Sequence, residues 1–248
     1  SATIGIWDGD GYQFFTQGLP GQVIPAFNGF VIQRTTPGSG DTQLLFDADS
    51  KQDGPGTPIG SQSAAAPAST DFRVVKLQAD ITDASGSTSR STAQLILGSE
   101  GTTTPGWDAY DFGALPPPAI SGSYALAGFP MDRSGSTRLR AVASEPQNTP
   151  GSVSMDLPLH IEGVGLSGTA TITWPDDAQT EEYLPAGWNV GLVDRRPGDG
   201  SGEVIHDLRA QGPYTFDLEA GNGINDPDEA RFRLRVTAGP LPVELTAF

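Results

Sequence analysis

Ala230-Arg231-Phe232-Arg233-Leu234-Arg235-Val236-Thr237 is the stretch that decides the fold class. Phe232, Leu234 and Val236 fall on one side of an extended chain, and Arg231, Arg233 and Arg235 fall on the other. A period of two belongs to a strand with one face toward a core and one toward water. A helix would need apolar positions three and four apart, and no part of the chain sustains that spacing. The stretch predicts a half-buried strand.

Runs of the same kind precede it: Val153–Glu162, Gly168–Trp174, Trp188–Asp194, Glu203–Asp207 and Tyr214–Leu218. Each is short, rich in β-branched and aromatic residues, and set off by turn residues. Six or seven strands over roughly ninety residues suit an immunoglobulin-like or fibronectin-III-like β-sandwich. Residues 148–240 are expected to form one. Glu145–Gly151 is polar and punctuated by prolines, as a domain boundary should be.

Upstream, Ala2–Trp7, Tyr12–Thr16, Val23–Ile24, Gly29–Arg34, Gln43–Phe46, Phe72–Ala79, Ser91–Leu97, Tyr124–Phe129 and Thr137–Ser144 predict further strands. They suggest a jelly-roll-like β-sandwich over residues 1–147. Asp8-Gly9-Asp10-Gly11 reads as a hairpin connection. Residues 53–70 carry Gly, Pro, Ser and Ala with little apolar bulk and read as a long loop. Pro116-Pro117-Pro118 removes three backbone donors, so Trp107–Pro118 should wrap the surface. The expectation is an all-β chain of two sandwiches, with 241–248 as a terminal strand or linker.

Composition narrows the function. The chain has 248 residues, 32 of them Gly and 21 Pro, placed between short β-type runs as many turns require. A formal charge of -16 repels phosphate backbones and anionic lipid, which argues against nucleic-acid and membrane-surface roles. No apolar run is long enough for helical membrane insertion. Cysteine is absent, which removes thiol catalysis, thiolate metal sites and disulfides together.

Several islands resemble one family. Ile6-Trp7-Asp8-Gly9 with Tyr12, followed by Val23-Ile24-Pro25-Ala26-Phe27-Asn28-Gly29-Phe30-Val31-Ile32, resembles the "WDG…Y…IPPxQGFFV" pattern of large secreted bacterial cell-surface proteins. Those proteins are cargo of the type IX secretion system. Trp107-Asp108-Ala109-Tyr110-Asp111 is similar to an element that follows in them. Gly187–Asp194, Tyr214–Phe216 and Arg231–Leu234 resemble their closing sandwich, and Leu241–Phe248 resembles their "LPVELTxF" linker. Asn28 departs from the usual Gln, and residues 53–70 form a longer loop than the pattern has. The resemblance implies export to the cell exterior and a β architecture, and it brings no catalytic residues.

The residues that carry chemistry are sparse. His160 and His206 are the only histidines, and nothing in their spacing brings them together. Gly-x-Ser-x-Gly does not occur, so a nucleophile elbow is missing. Asp176-Asp177 and Glu181-Glu182 read as solvated turn residues rather than a glycosidase pair. Calcium is the inorganic ligand the sequence can best serve, because it takes six to eight oxygen ligands. Asn222, Asn225, Asp226 and Asp228, with Glu229, form one candidate calcium loop, and Asp47, Asp49 and Asp53 form a looser set. Neither has the EF-hand pattern. No cofactor is otherwise required.

Among the tryptophans, Trp174 and Trp188 sit where sandwich strands place inward residues. Trp107, with Tyr110 and Asp108 in a Gly/Pro-rich stretch, is the candidate surface contact for a sugar ring. Ile4 and Ile6 at one end, and Leu241, Val243 and Leu245 at the other, mark strand-competent segments suited to assembly between subunits. The sequence points to a non-catalytic extracellular or cell-surface structural protein that associates with copies of itself. A secreted adhesion or carbohydrate-binding module, with surface polysaccharide as partner, is the alternative, as is an accessory region of a secreted enzyme.

Overall fold

A computed structural model of the chain describes residues 3–7, 9, 11–16, 30–32, 72–98, 103, 106–118, 122–133, 136–146, 154–175, 184–196, 202–219, 221 and 230–238. Among them are fourteen strands and no helix. The protein is all-β. The expected runs at 23–24 and 43–46, the loop at 53–70 and the terminal stretch 241–248 lie outside the described residues.

The N-terminal strand β1 (Thr3–Trp7) pairs with β2 (Tyr12–Thr16), setting Trp7 opposite Tyr12. Its other edge takes β3 (Phe30–Ile32), so the three-stranded antiparallel order is β2-β1-β3. Gly9 lies between β1 and β2 with φ at +115°, a conformation that side chains with a Cβ resist. The hairpin expected there is present.

Eleven strands form the larger sheet. They are β4 (Phe72–Thr82), β5 (Thr88–Gly98), β6 (Phe112–Gly113), β7 (Tyr124–Arg133), β8 (Ser136–Pro146), β9 (Ser154–Val164), β10 (Gly168–Thr173), β11 (Trp188–Asp194), β12 (Val204–Asp207), β13 (Tyr214–Leu218) and β14 (Phe232–Ala238). Their order is β12-β11-β14-β9-β7-β8-β5-β4-β10-β13, with β6 joined to β8. β5 and β8 run parallel, and the other described pairs are antiparallel.

The boundary expected near 147 falls between β8 and β9, yet strands from both sides of it are hydrogen-bonded neighbours. β10 lies beside β4, and β9 beside β7. The register explains the first pairing: Ala170 meets Ile81 and Ile172 meets Ala79, and all four are buried. One core cluster accordingly joins Leu77, Leu95 and Phe129 with Leu159, Leu192 and Leu234.

β7 changes partner along its length. Tyr124–Gly128 of β7 pairs with β9, whereas Phe129–Arg133 pairs with β8. Gly128 marks the switch, where a Cβ would lie 2.4 Å from the Arg140 carbonyl oxygen. The hydroxyls of Ser89 and Ser91 accept the backbone N–H groups of Ala125 and Ala127, both at 2.9 Å. Leaving such a buried donor unmet costs about 1–3 kcal/mol.

The alternation at Phe232, Leu234 and Val236 buries all three, as expected. The arginine face is not simply wet. Arg231 is paired with Asp194, and Arg233 and Arg235 both hold Asp156. Paired neighbouring strands supply these carboxylates: Asp156 stands directly opposite Arg235. The Arg233 and Arg235 pairs remain partly exposed, and such pairs contribute modestly.

A second cluster seats the small sheet on the large one. Phe14 of β2 meets Phe72, Val74, Ile96, Phe112, Ala141 and Val142. The Phe14 and Phe112 rings lie 5.4 Å apart. Phe112 is fully buried, so Phe112→Ala should cost about 3–5 kcal/mol. Hydrogen exchange should speed up in β1 and β2 more than in β11 and β14. Uniform loss of protection across both sheets would contradict this arrangement.

Candidate functional site

The segment Trp107–Asp111 is tied to β8 by a buried polar cluster. The Asp108 carboxylate accepts the Tyr110 N–H at 2.8 Å, a local turn typical of aspartate, and the Ser144 hydroxyl at 2.6 Å. Asp111 accepts the Asp108 N–H at 2.7 Å on one oxygen. Its other oxygen accepts the Ser144 N–H at 3.0 Å and Arg140 Nη1 at 3.1 Å. Arg140 also donates to Glu145 at 3.0 Å. Asp111 and Ser144 are 0% exposed and Arg140 is 3% exposed.

Burial pushes the Asp111 carboxyl up to about 6, against the downward pull of Arg140 and of the Asp108 and Ser144 amides. Glu145 is raised for the same first reason and is likewise held back by Arg140. A carboxyl near 6 suits general acid–base work, but ion-pair networks produce the same shift. Here each of the three hydrogen-bond partners of Asp111 is a donor, and the carboxyl is sealed from solvent. The arrangement fixes a chain segment.

The sequence candidates Trp107 and Tyr110 are both half-buried here. The Tyr110 ring packs edge-on to Phe72 at 5.3 Å, and its carbonyl accepts the Thr3 hydroxyl at 2.7 Å. Tyr110 thereby links β1 to the large sheet. Of the strand residues, Ile6 is fully buried and Ile4 is half-buried, and both lie where β1 is paired on its two edges.

The histidines stay apart in the hydrogen-bond pattern. His160 of β9 contacts Glu162 at 3.3 Å, and His206 of β12 bonds the Gly212 carbonyl at 2.8 Å. No group of three or more His, Asp or Glu close enough to hold a metal occurs among the described residues. The calcium candidates Asn222, Asn225, Asp226 and Asp228 lie outside the described residues, as do Asp47, Asp49, Asp53, Asp176, Asp177, Glu181 and Glu182. So do Leu241, Val243 and Leu245. No helix among the described residues is long and apolar enough to cross a membrane.

A feature that inspection of single strands misses is the outward face of β13, β10, β4 and β5. Register aligns Thr215, Thr171, Asp80 and Arg90 in one row across the four strands. Asp217, Thr169, Thr82 and Thr88 form the next, and Thr173, Gln78 and Thr92 a third. Thr169-x-Thr171-x-Thr173 and Gln78-x-Asp80-x-Thr82 each alternate along one strand, and pairing places them side by side.

No family model, curated protein or solved structure matches this chain.

The sign of the Asp111 shift gives a test. A carboxyl raised in the folded state binds its proton more tightly there than when unfolded. Its contribution to stability is greatest below the ordinary Asp range and falls as pH rises through about 6. Asp111→Asn lacks that dependence. The difference in unfolding free energy between variant and wild type should move in favour of the variant by up to about 3 kcal/mol between pH 4 and 7. Urea midpoints at the two pH values measure it, and an unchanged difference would contradict the assignment.

Proposed function

We propose that the chain is a non-catalytic extracellular structural protein, a subunit that assembles with copies of itself into a cell-surface fibre, sheath or matrix. The observation that most supports this reading is β3. Among the described strands it has one partner, β1, and Val31 and Ile32 are each 38% exposed. Consecutive strand residues point to opposite faces, so this short edge carries one partly exposed apolar side chain on each face. Edges of this kind are templates for another chain unless charge or cover blunts them.

The donor in this reading is Leu241–Phe248 of a neighbouring copy, where Leu241, Val243, Leu245 and Ala247 alternate onto one face. Strand addition supplies backbone hydrogen bonds, and a head-to-tail contact that does not close gives an open filament. Ile4 and Ile6 then serve the contact from within: β1 backs the acceptor strand. The type IX cargo resemblance supports export to the cell exterior. We also read residues 148–240 as immunoglobulin-like, since β10 pairs with β13 while β12, β11 and β14 pair among themselves. Residues 1–147 remain jelly-roll-like in this proposal.

Light scattering on the secreted protein tests it. Val31→Lys with Ile32→Lys, and separately removal of 241–248, should each lower the assembled fraction by about tenfold or more while the thermal midpoint is kept, because a charged edge rejects a partner strand. Assemblies that persist in both variants, or a wild-type chain that stays monomeric, would overturn it.

A further inference from the structure

The outward face of β13, β10, β4 and β5 has a chemistry that the assembly reading does not use. Its eleven row positions are seven threonines, two aspartates, one glutamine and one arginine, with no large apolar side chain. The alternate residues Ala79, Ile81, Ala170, Ile172 and Phe216 are buried beneath them. Side chains on the face are bonded to one another. Arg90 donates to Asp80 at 2.8 Å, Gln78 donates to the same carboxylate at 2.7 Å, and Thr171 and Thr215 hydroxyls lie 3.2 Å apart.

Both ends of this face are shaped. At one end Arg90 and Thr92 meet Trp7 and Tyr12 around a small cavity of about 10 Å³. The Trp7 and Tyr12 rings stand edge-to-face at 5.2 Å, and both residues are half-buried. At the other end Thr82, Thr169 and Asp217 line an open depression of about 590 Å³. Strands about 4.8 Å apart, with alternate residues about 6.8 Å apart, set hydroxyls on a regular grid between the two ends.

Charge and polarity select the occupant. The core of a protein–protein contact is enriched in apolar and aromatic side chains, and none of the eleven row positions carries one. The charge of -16 opposes phosphate and sulfate polymers, and the one arginine in the rows is already committed to Asp80. What remains is a ligand rich in hydroxyls and uncharged, with an apolar face for the half-buried Trp7, since the Tyr12 ring is already stacked on Phe14. We propose that this face binds a neutral polysaccharide laid across β13, β10, β4 and β5, with Trp7 in contact at one end and the Thr82–Asp217 depression receiving the other. The site is separate from the β3 edge and does not depend on assembly.

Affinity electrophoresis through gels containing soluble neutral glucan, mannan, xylan or galactan tests the proposal, with polygalacturonate as the anionic control. At least one neutral polymer should retard the wild-type chain. The triple variant T169A/T171A/T215A should bind that polymer at least about tenfold more weakly, as should Trp7→Ala. Thr171→Lys, which obstructs the rows without altering the core, provides a second variant, and thermal unfolding checks that each variant is folded. Trp107→Phe should bind like the wild type. The proposal is overturned if no neutral polymer retards the chain, if only polygalacturonate does, or if folded T169A/T171A/T215A and Thr171→Lys both bind as the wild type does.

Discussion

β4 and β5 pair over all eleven residues, from Phe72 opposite Gly98 to Thr82 opposite Thr88. Because side chains alternate, that one ladder assigns each residue to one of two faces. Val75, Leu77, Ala79 and Ile81 with Ala93, Leu95 and Leu97 go to the main core. Phe72, Val74 and Ile96 go to the second cluster, which carries the three-stranded sheet. Beyond that cluster the outer face turns polar. A slip of β4 by one residue would exchange its two sets, turning Val75, Leu77 and Ile81 away from the core at roughly 1.5–3 kcal/mol each.

The rest of the molecule answers this ladder. β10 extends it on one edge because Ala170 and Ile172 continue its buried face. β8 extends it on the other, in parallel, and the turn at Trp107–Asp111 is pinned to β8 by Asp111, Ser144 and Arg140. That pin places Phe112 in the second cluster and Tyr110 under Thr3. One buried carboxylate–guanidinium pair therefore positions the N-terminal sheet and, through β1, the exposed edge of β3. Breaking half of such a pair is costly, since it strands the other charge.

Much of the strand content was legible in the sequence. The alternation at 230–237, the turn at Gly9 and the buried Trp174 each followed from local chemistry, whereas Trp107–Pro118 does not simply wrap the surface: Asp111 and Phe112 are buried and Phe112–Gly113 pairs with β8. What local chemistry does not contain is partner choice. Nothing near Thr169 says that it will lie beside Thr82, and nothing near Arg140 names Asp111. The arginines at 231, 233 and 235 looked solvated because their carboxylate partners, Asp194 and Asp156, are distant in sequence. The polar rows are not legible for the same reason: each strand contributes only two or three of their members, and the pairing that aligns them is not local.

The buried Asp111–Arg140 pair fixes a chain segment, and in the proposed reading the β3 edge joins the protein to copies of itself. Electron microscopy of the purified native protein, taken without denaturation, tests that proposal most directly. The account predicts fibres, sheets or tubes with a regular subunit repeat. Isolated monomeric particles at all concentrations would contradict it.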